Sequence, residues 1–495
     1  MGRTFRRDPA RRYDREVDRR DDRRNSARCE GEGASVSAAL GARGGERTPR
    51  LTRGHIVSYG LGELGTAIFI HAPNLLWLFF LTEVIGLSPA TAGLVILAPM
   101  IWDAVTDPAF GIIADRTWTR LGKYVPYLFL ATPFCALSFI LFFTDPGLAG
   151  SLAAWGALGT AVLFRTLLTV VIVPHNALLA RSTQDSRTRS VLAGSKMFFN
   201  AVGMVLIAVA TRPMLATGDA GGETLSFAGF AIAGAIMATL LLWQNAFFFR
   251  KLDAAMPVES ATRTFSLAEI GRALAGNRYL IVLIVAGAIG MLLLPAFAKS
   301  LLYYGRYVVG DDGWGANALI TFTLSAATTV PIWALAGRRL EKAALLKSAH
   351  ALLCASLIAF LLLPQPDAPL RFAIVAATGV ATGGINVMTM ALLPDVVEAG
   401  QAASGRRVEA PVFGCFTFAL KLGNGLGSGL LGLSLGFAGF VQNAPVQTDA
   451  TRLGILLTMT LLPMAGALLV LLLLRRWDLT HARHSALTKV ASAAP

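Results

Sequence analysis

Two aspartates, Asp103 and Asp107, stand four residues apart in WDAVTDP (102–108), between LVILAPMI on one side and AFGII on the other. Residues at i and i+4 share one face of a helix, so both carboxylates point the same way. Setting the pair near the centre of a bilayer costs at least ~5 kcal/mol on insertion scales, which demands a cavity or a partner. Pro108 follows at once, has no N–H for the carbonyl of Ala104, and leaves that oxygen on the helix beside the carboxylates. Two carboxylates and a loose carbonyl suit a small hard cation or a proton. Thr169, in VLFRTLLTVVIVP, offers a hydroxyl, although a lone membrane threonine more often bonds its own helix.

The competing reading of the aspartates is a buried ion pair. Its candidates are Arg165, four residues before Thr169 on the same face, and Lys421 in FALKLGNGLG. Glu63 in YGLGELG, His71, His175 and Lys196 in GSKMFF are further polar groups at membrane depth and candidates for solute contact.

The elements that must position these groups are membrane helices. The 495 residues are 54% hydrophobic and 15% charged, with a mean hydropathy of +0.58, which excludes a water-soluble domain of this size. Apolar runs of about 20 residues, the length that crosses roughly 30 Å of hydrocarbon, occur twelve times: 55–81, 89–114, 125–144, 152–180, 191–211, 225–249, 279–305, 315–337, 346–364, 370–394, 410–440 and 452–475. The fold expected is all-α, twelve transmembrane helices in two pseudo-symmetric six-helix bundles.

Its parts are a disordered basic tail (1–53), a first bundle (54–249), a central cytoplasmic loop (250–278), a second bundle (279–475) and a cytoplasmic C-terminal tail (476–495). The first span begins near residue 55 and is too long for the apolar core of a cleavable signal peptide. The Lys- and Arg-rich connections alternate with poor ones, which places both termini in the cytoplasm and suggests a bacterial plasma membrane as the location.

The halves echo one another. GIIADRTWTRLGKY (111–124) closes span two as WALAGRRLEKAALL (333–346) closes span eight, and ALLARSTQDSRTR (177–189) closes span four as ALLPDVVEAGQAASGRR (391–407) closes span ten. Parallel six-span repeats place a solute site at mid-membrane between the halves and work by alternating access. Asp115, Arg116 and Arg120 in one repeat, with Asp395, Glu398, Arg406, Arg407 and Glu409 in the other, are candidates for ion pairs that close the cytoplasmic side.

The formal charge of +14 lies in cytoplasmic loops and tails, where anionic lipid is the nearer partner; no nucleic-acid module is visible. Cys29, Cys135, Cys354 and Cys415 have no metal-ligand spacing. GNGLGSGLLGLSLGFAG (423–439) has the small-residue spacing of close helix packing. It is no phosphate loop, since no strand precedes it and no Lys-Ser/Thr ends it.

WDAVTDPAFGIIADRTWTRLGKYVPY, VPHNALLARSTQDSRTRS with SKMFF, LLYYGRYVVG (301–310), LLPDVVEAGQAASGRRVEAPVFG (392–414) and ALKLGNGLG (419–427) resemble the melibiose-permease-like glycoside–pentoside–hexuronide:cation symporter family of the major facilitator superfamily, over about residues 54 to 475. The resemblance implies a cation site at Asp103 and Asp107 assisted by Thr169, with Thr106 at the asparagine position between the aspartates. It further implies a coupling role for Lys421 and a cytoplasmic charge network at Asp395, Glu398, Arg407 and Glu409. Departures are Ala67 and Ile172 where galactoside carriers have sugar-holding acids, Asn176 at a tryptophan position, and Lys196 at a frequent arginine. Arg165 is an addition, and it suggests either an anionic solute or neutralisation of an aspartate.

The function expected is H+- or Na+-coupled symport of a sugar, glycoside or hexuronide-like solute, with no cofactor beyond the coupling ion and no structural metal. The alternative is a lipid, lysolipid or other organic-anion carrier of the same fold. An intramembrane prenyltransferase is remote, because Asp395 and Glu398 are the only near match to its second aspartate motif.

Overall fold

The computed structural model of the chain describes residues 51–183, 185–215, 220–255, 271, 276–363, 365, 368–404 and 409–486. The tail up to residue 50, most of the central loop, Arg406, Arg407 and the side chain of Glu409 lie outside the described residues.

Twelve long helices occur among the described residues. They are α1 (Arg53–Phe79), α2 (Pro89–Arg116), α3 (Val125–Phe142), α4 (Gly150–Ser182), α5 (Ser186–Leu215), α6 (Ala220–Ala255), α7 in two pieces (Arg278–Leu293 and Pro295–Tyr304), α8 (Asp312–Arg339), α9 (Lys342–Leu362), α10 (Leu370–Ser404), α11 (Glu409–Phe437) and α12 (Asp449–Leu474). Eleven of these segments are long and apolar enough to cross a membrane. The other, α11, is 29 residues long and carries Lys421, Asn424 and a glycine run within its apolar surface. With an even number of crossings, both ends of the bundle lie on one face, termed here the terminal face.

Local chemistry sets several helix starts on the opposite face. Ser88 caps α2 by accepting the Thr91 N–H at 3.3 Å, with Pro89 at the first helical position. Asp311 caps α8 through the Gly313 N–H at 2.8 Å, and Thr448 caps α12 through the Thr451 N–H at 3.2 Å.

The repeat seen in the sequence extends to a backbone detail. The first helix of each half, α1 and α7, runs into a π-helical turn on the opposite face, Phe80–Val84 and Gly305–Val309. Such turns are rare and frequent at functional sites, and each of these carries charged groups discussed below.

Between the halves, α2 packs on α11, α5 on α8 and α1 on α7. The glycine run is what lets α11 approach so closely. A Cβ at Gly432 would fall 2.2 Å from the Pro89 carbonyl oxygen, and one at Gly425 would fall 2.7 Å from Met100 Cβ. Gly423 and Gly427 face the other way, against backbone oxygens of α7 at 2.6 and 2.2 Å from a would-be Cβ.

Candidate functional site

The i, i+4 spacing puts Asp103 and Asp107 on the face of α2 that meets α4 and α11. Asp103 Oδ2 receives Arg165 Nη1 of α4 at 3.1 Å, and Arg165 Nη2 also reaches Met100 Sδ. The other oxygen, Asp103 Oδ1, is buried without a hydrogen-bond partner. Asp107 accepts the Thr169 hydroxyl of α4 at 2.6 Å on Oδ1 and the Lys421 ammonium of α11 on Oδ2. Arg165 is therefore paired with Asp103 in this structure.

Each carboxylate is thus held by a cation, one from its own half and one from across the interface. Thr106 is not part of this group: its hydroxyl donates to the Trp102 carbonyl of its own helix at 3.1 Å.

A second polar cluster lies within the first half. Glu63 of α1 is buried and accepts Asn200 Nδ2 at 3.0 Å, with His175 Nε2 at 3.2 Å and Lys196 Nζ at 3.7 Å from its other oxygen. His175 stacks on Tyr59 with ring centroids 4.6 Å apart, Lys196 donates to Asn176 Oδ1, and His71 Nε2 meets Asn200 Oδ1 at 3.2 Å. Asn200 escaped the sequence reading, although it stands four residues after Lys196 on the same helical face.

Between the halves lies a cavity of about 240 Å³. His71 and Asn74 of α1 face Lys299 of α7, His350 of α9, Asn386 and Thr389 of α10, and Asn424 of α11 across it. Asn424 Nδ2 donates to Asn74 Oδ1 at 2.9 Å, so one amide bridge crosses between the halves. The apolar share comes from side chains such as Leu75, Met204, Phe322 and Leu420.

Cross-half ion pairs occur at the opposite face, on the two π-turns. Arg306 bonds Glu223 at the start of α6 and Asp312 at the start of α8, and its Nη1 lies 3.9 Å from Glu83 Oε2. The Tyr307 hydroxyl donates to Glu83, and Thr82 meets the Tyr303 hydroxyl at 2.8 Å. At the terminal face the described charges pair differently. Asp115 is held by Lys123 at 2.9 Å and by the Tyr124 hydroxyl at 2.8 Å, both within the first half. Burial, and then that bond to Asp115, hold the Tyr124 hydroxyl above its usual pKa.

In the second half, Lys342 holds Asp395 at 2.6 Å and His484 lies 3.1 Å from Glu398. Arg116 and Arg120 are exposed. The residues expected to close this face are therefore not joined across the halves where they are described, and the cross-half ion pairs of Arg306 lie at the opposite face, which the sequence reading passed over.

Among the described residues no group of three His, Cys, Asp or Glu could hold a metal ion. The arrangement can exchange a small cation for a protein cation at a carboxylate, and can seat a small polar solute between two bundles.

A family model described as MFS/sugar transport protein matches residues 58–481. The uncharacterized symporter YnaJ of Bacillus subtilis (strain 168) is 28% identical, over 89% of this chain and 94% of that protein. The glucuronide carrier protein homolog of Escherichia coli (strain K12) is 25% identical, over 86% and 92%. The sodium-dependent lysophosphatidylcholine symporter 1 of Xenopus tropicalis is also 25% identical, over 90% and 92%. A crystal structure of a mutant of the nucleoside transporter NupG superposes with a TM-score of 0.60 at 13% identity, over 84% of this chain and 99% of that one.

Proposed function

The chain belongs to the MFS/sugar transport protein family, and from that premise we propose that it carries a sugar or glycoside across the membrane together with H+ or Na+, by alternating access. It is an integral multi-pass transporter and not an enzyme.

The observation that carries the coupling is the contact of Lys421 with Asp107. It joins α11 to α2 across the interface between the halves, and it occupies the carboxylate oxygen that a coupling cation would take. A cation arriving at Asp107 and at the unpartnered Asp103 Oδ1 replaces the lysine. The lysine is then released toward the cavity, and one tie between the halves is exchanged for a neutral, cation-filled site. A ligand shifts such an equilibrium only by its differential affinity for the two states, typically about 1–3 kcal/mol. Thr169 supplies a further oxygen, while Glu63, His175, Asn176 and Lys196 form a polar cluster within the first bundle, outside the cavity lining.

The pairing pattern supports a state closed at the opposite face. The cytoplasmic network of Asp115, Arg116, Arg120, Asp395, Glu398, Arg407 and Glu409 is proposed to form in the alternate state, when Asp115 and Asp395 leave their present lysines. The basic loops support a cytoplasmic position for the terminal face, with lipid headgroups beside them. The bacterial inner membrane is the proposed location.

Asn74, Asn386 and Asn424 in the cavity lining support a small hydroxylated solute, and the largely apolar remainder of that lining keeps a single-chain lipid as the second reading. Uptake into proteoliposomes of neutral glycosides, hexuronides and a lysophospholipid series, with sodium and proton gradients imposed separately, tests this. Accumulation of a sugar under one gradient is expected. Uptake of lysophospholipid alone, rising with acyl-chain length, would overturn it.

A further inference from the structure

Among the described residues, the carboxylates within the helix bundle are matched by cations. Asp103 has Arg165, Asp107 has Lys421, Glu63 has Lys196 and His175, and Glu83 and Glu223 share Arg306. Lys299 reverses the pattern. It stands within the apolar span Arg278–Val309, only 7% of the residue is exposed, and among the described residues no carboxylate pairs with it within 4.0 Å. Nζ donates to Ser428 Oγ at 2.6 Å and, at 3.4 Å, to Asn424 Oδ1. An ammonium carries three donors, and neutral oxygens do not balance its charge. A buried charge left without a counter-ion is costly, and an anion brought into the cavity would supply the charge that the protein does not.

Lys299 follows the Pro295 interruption of α7 by one turn and lines the cavity between the halves, where it is the one charged side chain among the described lining residues. Asn74, Asn386, Thr389 and Asn424 line the same, otherwise largely apolar cavity and bring to it the amide and hydroxyl groups that sugar hydroxyls require. Arg165, Lys421 and Lys196, cations elsewhere within the helix bundle, are already committed to Asp103, Asp107 and Glu63.

We propose that Lys299 is the anion-recognising residue of the solute site, binding a carboxylate carried on a sugar ring, so that the protein prefers a hexuronide to the corresponding neutral hexoside. The inference rests on the sugar-transport reading above. A single ammonium, a point charge with no arginine fork beside it, fits a monoanionic carboxylate better than a phosphate, whose recognition usually draws on bidentate guanidinium contacts.

The test uses the full chain in proteoliposomes and two probes that differ only at C6, methyl glucuronide and methyl glucoside, with glucose 6-phosphate as a third. Exchange and equilibrium binding are measured for the wild type, Lys299→Gln, Lys299→Arg and Ser428→Ala. The wild type is expected to favour the glucuronide at least tenfold over both other probes. Lys299→Gln should abolish that preference by weakening the glucuronide at least tenfold more than the glucoside, Lys299→Arg should retain it, and Ser428→Ala should weaken the glucuronide more than the glucoside.

Binding of the glucoside without preference for the glucuronide would overturn the inference and leave sugar transport standing. So would stronger binding of the phosphate, or an equal loss of both sugars in Lys299→Gln. Failure of the wild type to bind any of the three sugars, with uptake of lysophospholipid, would instead remove the sugar reading and this inference with it. The wild-type ratio and Ser428→Ala decide the matter even where Lys299→Gln does not fold.

Discussion

Replacing Lys421 with alanine should tighten, not weaken, binding of the coupling cation. In the structure the Lys421 ammonium occupies Asp107 Oδ2, so an incoming ion competes with it. The two side chains are 36% and 26% exposed, which places the pair between two regimes. Exposed pairs contribute at most about 1 kcal/mol, and breaking a fully buried pair costs about 3–5 kcal/mol. A hold of about 1–2 kcal/mol is therefore what the ion must overcome, and at 1.4 kcal/mol per decade its removal raises affinity roughly five- to thirty-fold. The sign is the same for either ion, since loss of the ammonium favours a proton on Asp107 as much as a sodium beside it. Sodium titration followed by calorimetry, and proton uptake followed with a pH indicator, on purified protein in lipid nanodiscs would read the effect. Unchanged or weaker affinity for both ions in Lys421→Ala would refute the competition argument and make the lysine a purely structural tie.

Two further perturbations probe the closure and the close crossing. Arg306→Gln strips the counter-charge from Glu83, Glu223 and Asp312, a loss of about 3–5 kcal/mol for a largely buried network; a cysteine placed at Thr82, buried here, should then react with an impermeant maleimide at least fivefold faster, and an unchanged rate would count against this face being held by those pairs. Gly432→Leu forces a side chain against the Pro89 carbonyl, for about 1–3 kcal/mol of overpacking; lowered thermal stability with impaired transport is expected, whereas the same change at Gly436, whose would-be Cβ meets nothing closer than 4.0 Å, should be tolerated.

Much of the fold was legible because hydrocarbon thickness imposes one length on every span. The expected run at 152–180 became Gly150–Ser182, and that at 410–440 became Glu409–Phe437. The expected 370–394 grew to Leu370–Ser404, because apolarity marks where a helix enters lipid and not where its hydrogen bonds stop. The break of α7 at Leu294 was marked in the sequence by Pro295, a signal that counting apolar runs did not use.

The aspartate pair was legible because two charges at helical spacing in an apolar run have few explanations. Its partners were candidates only, since Arg165 and Lys421 stand 62 and 314 residues away from the groups they meet, and spacing carries no information at that range. Thr106, adjacent to the aspartate Asp107 in sequence, turns back to its own helix. Lys299 gave the same kind of signal as Asp103, a charge in AFAKSLLYY, but as a single residue it formed no pattern. Glu83, Glu223 and Arg306 stand at span ends, where charges ordinarily mean only the water boundary, and their convergence on one another is a property of the packed halves.

The central claim, that Asp103 and Asp107 couple a cation gradient to sugar movement, is tested most directly by measuring two fluxes of one sugar in the same proteoliposomes: accumulation driven by a sodium or proton gradient, and exchange with no gradient. For Asp103→Asn and Asp107→Asn the account predicts that gradient-driven accumulation is lost while exchange persists. Accumulation at the wild-type level in either variant would contradict it.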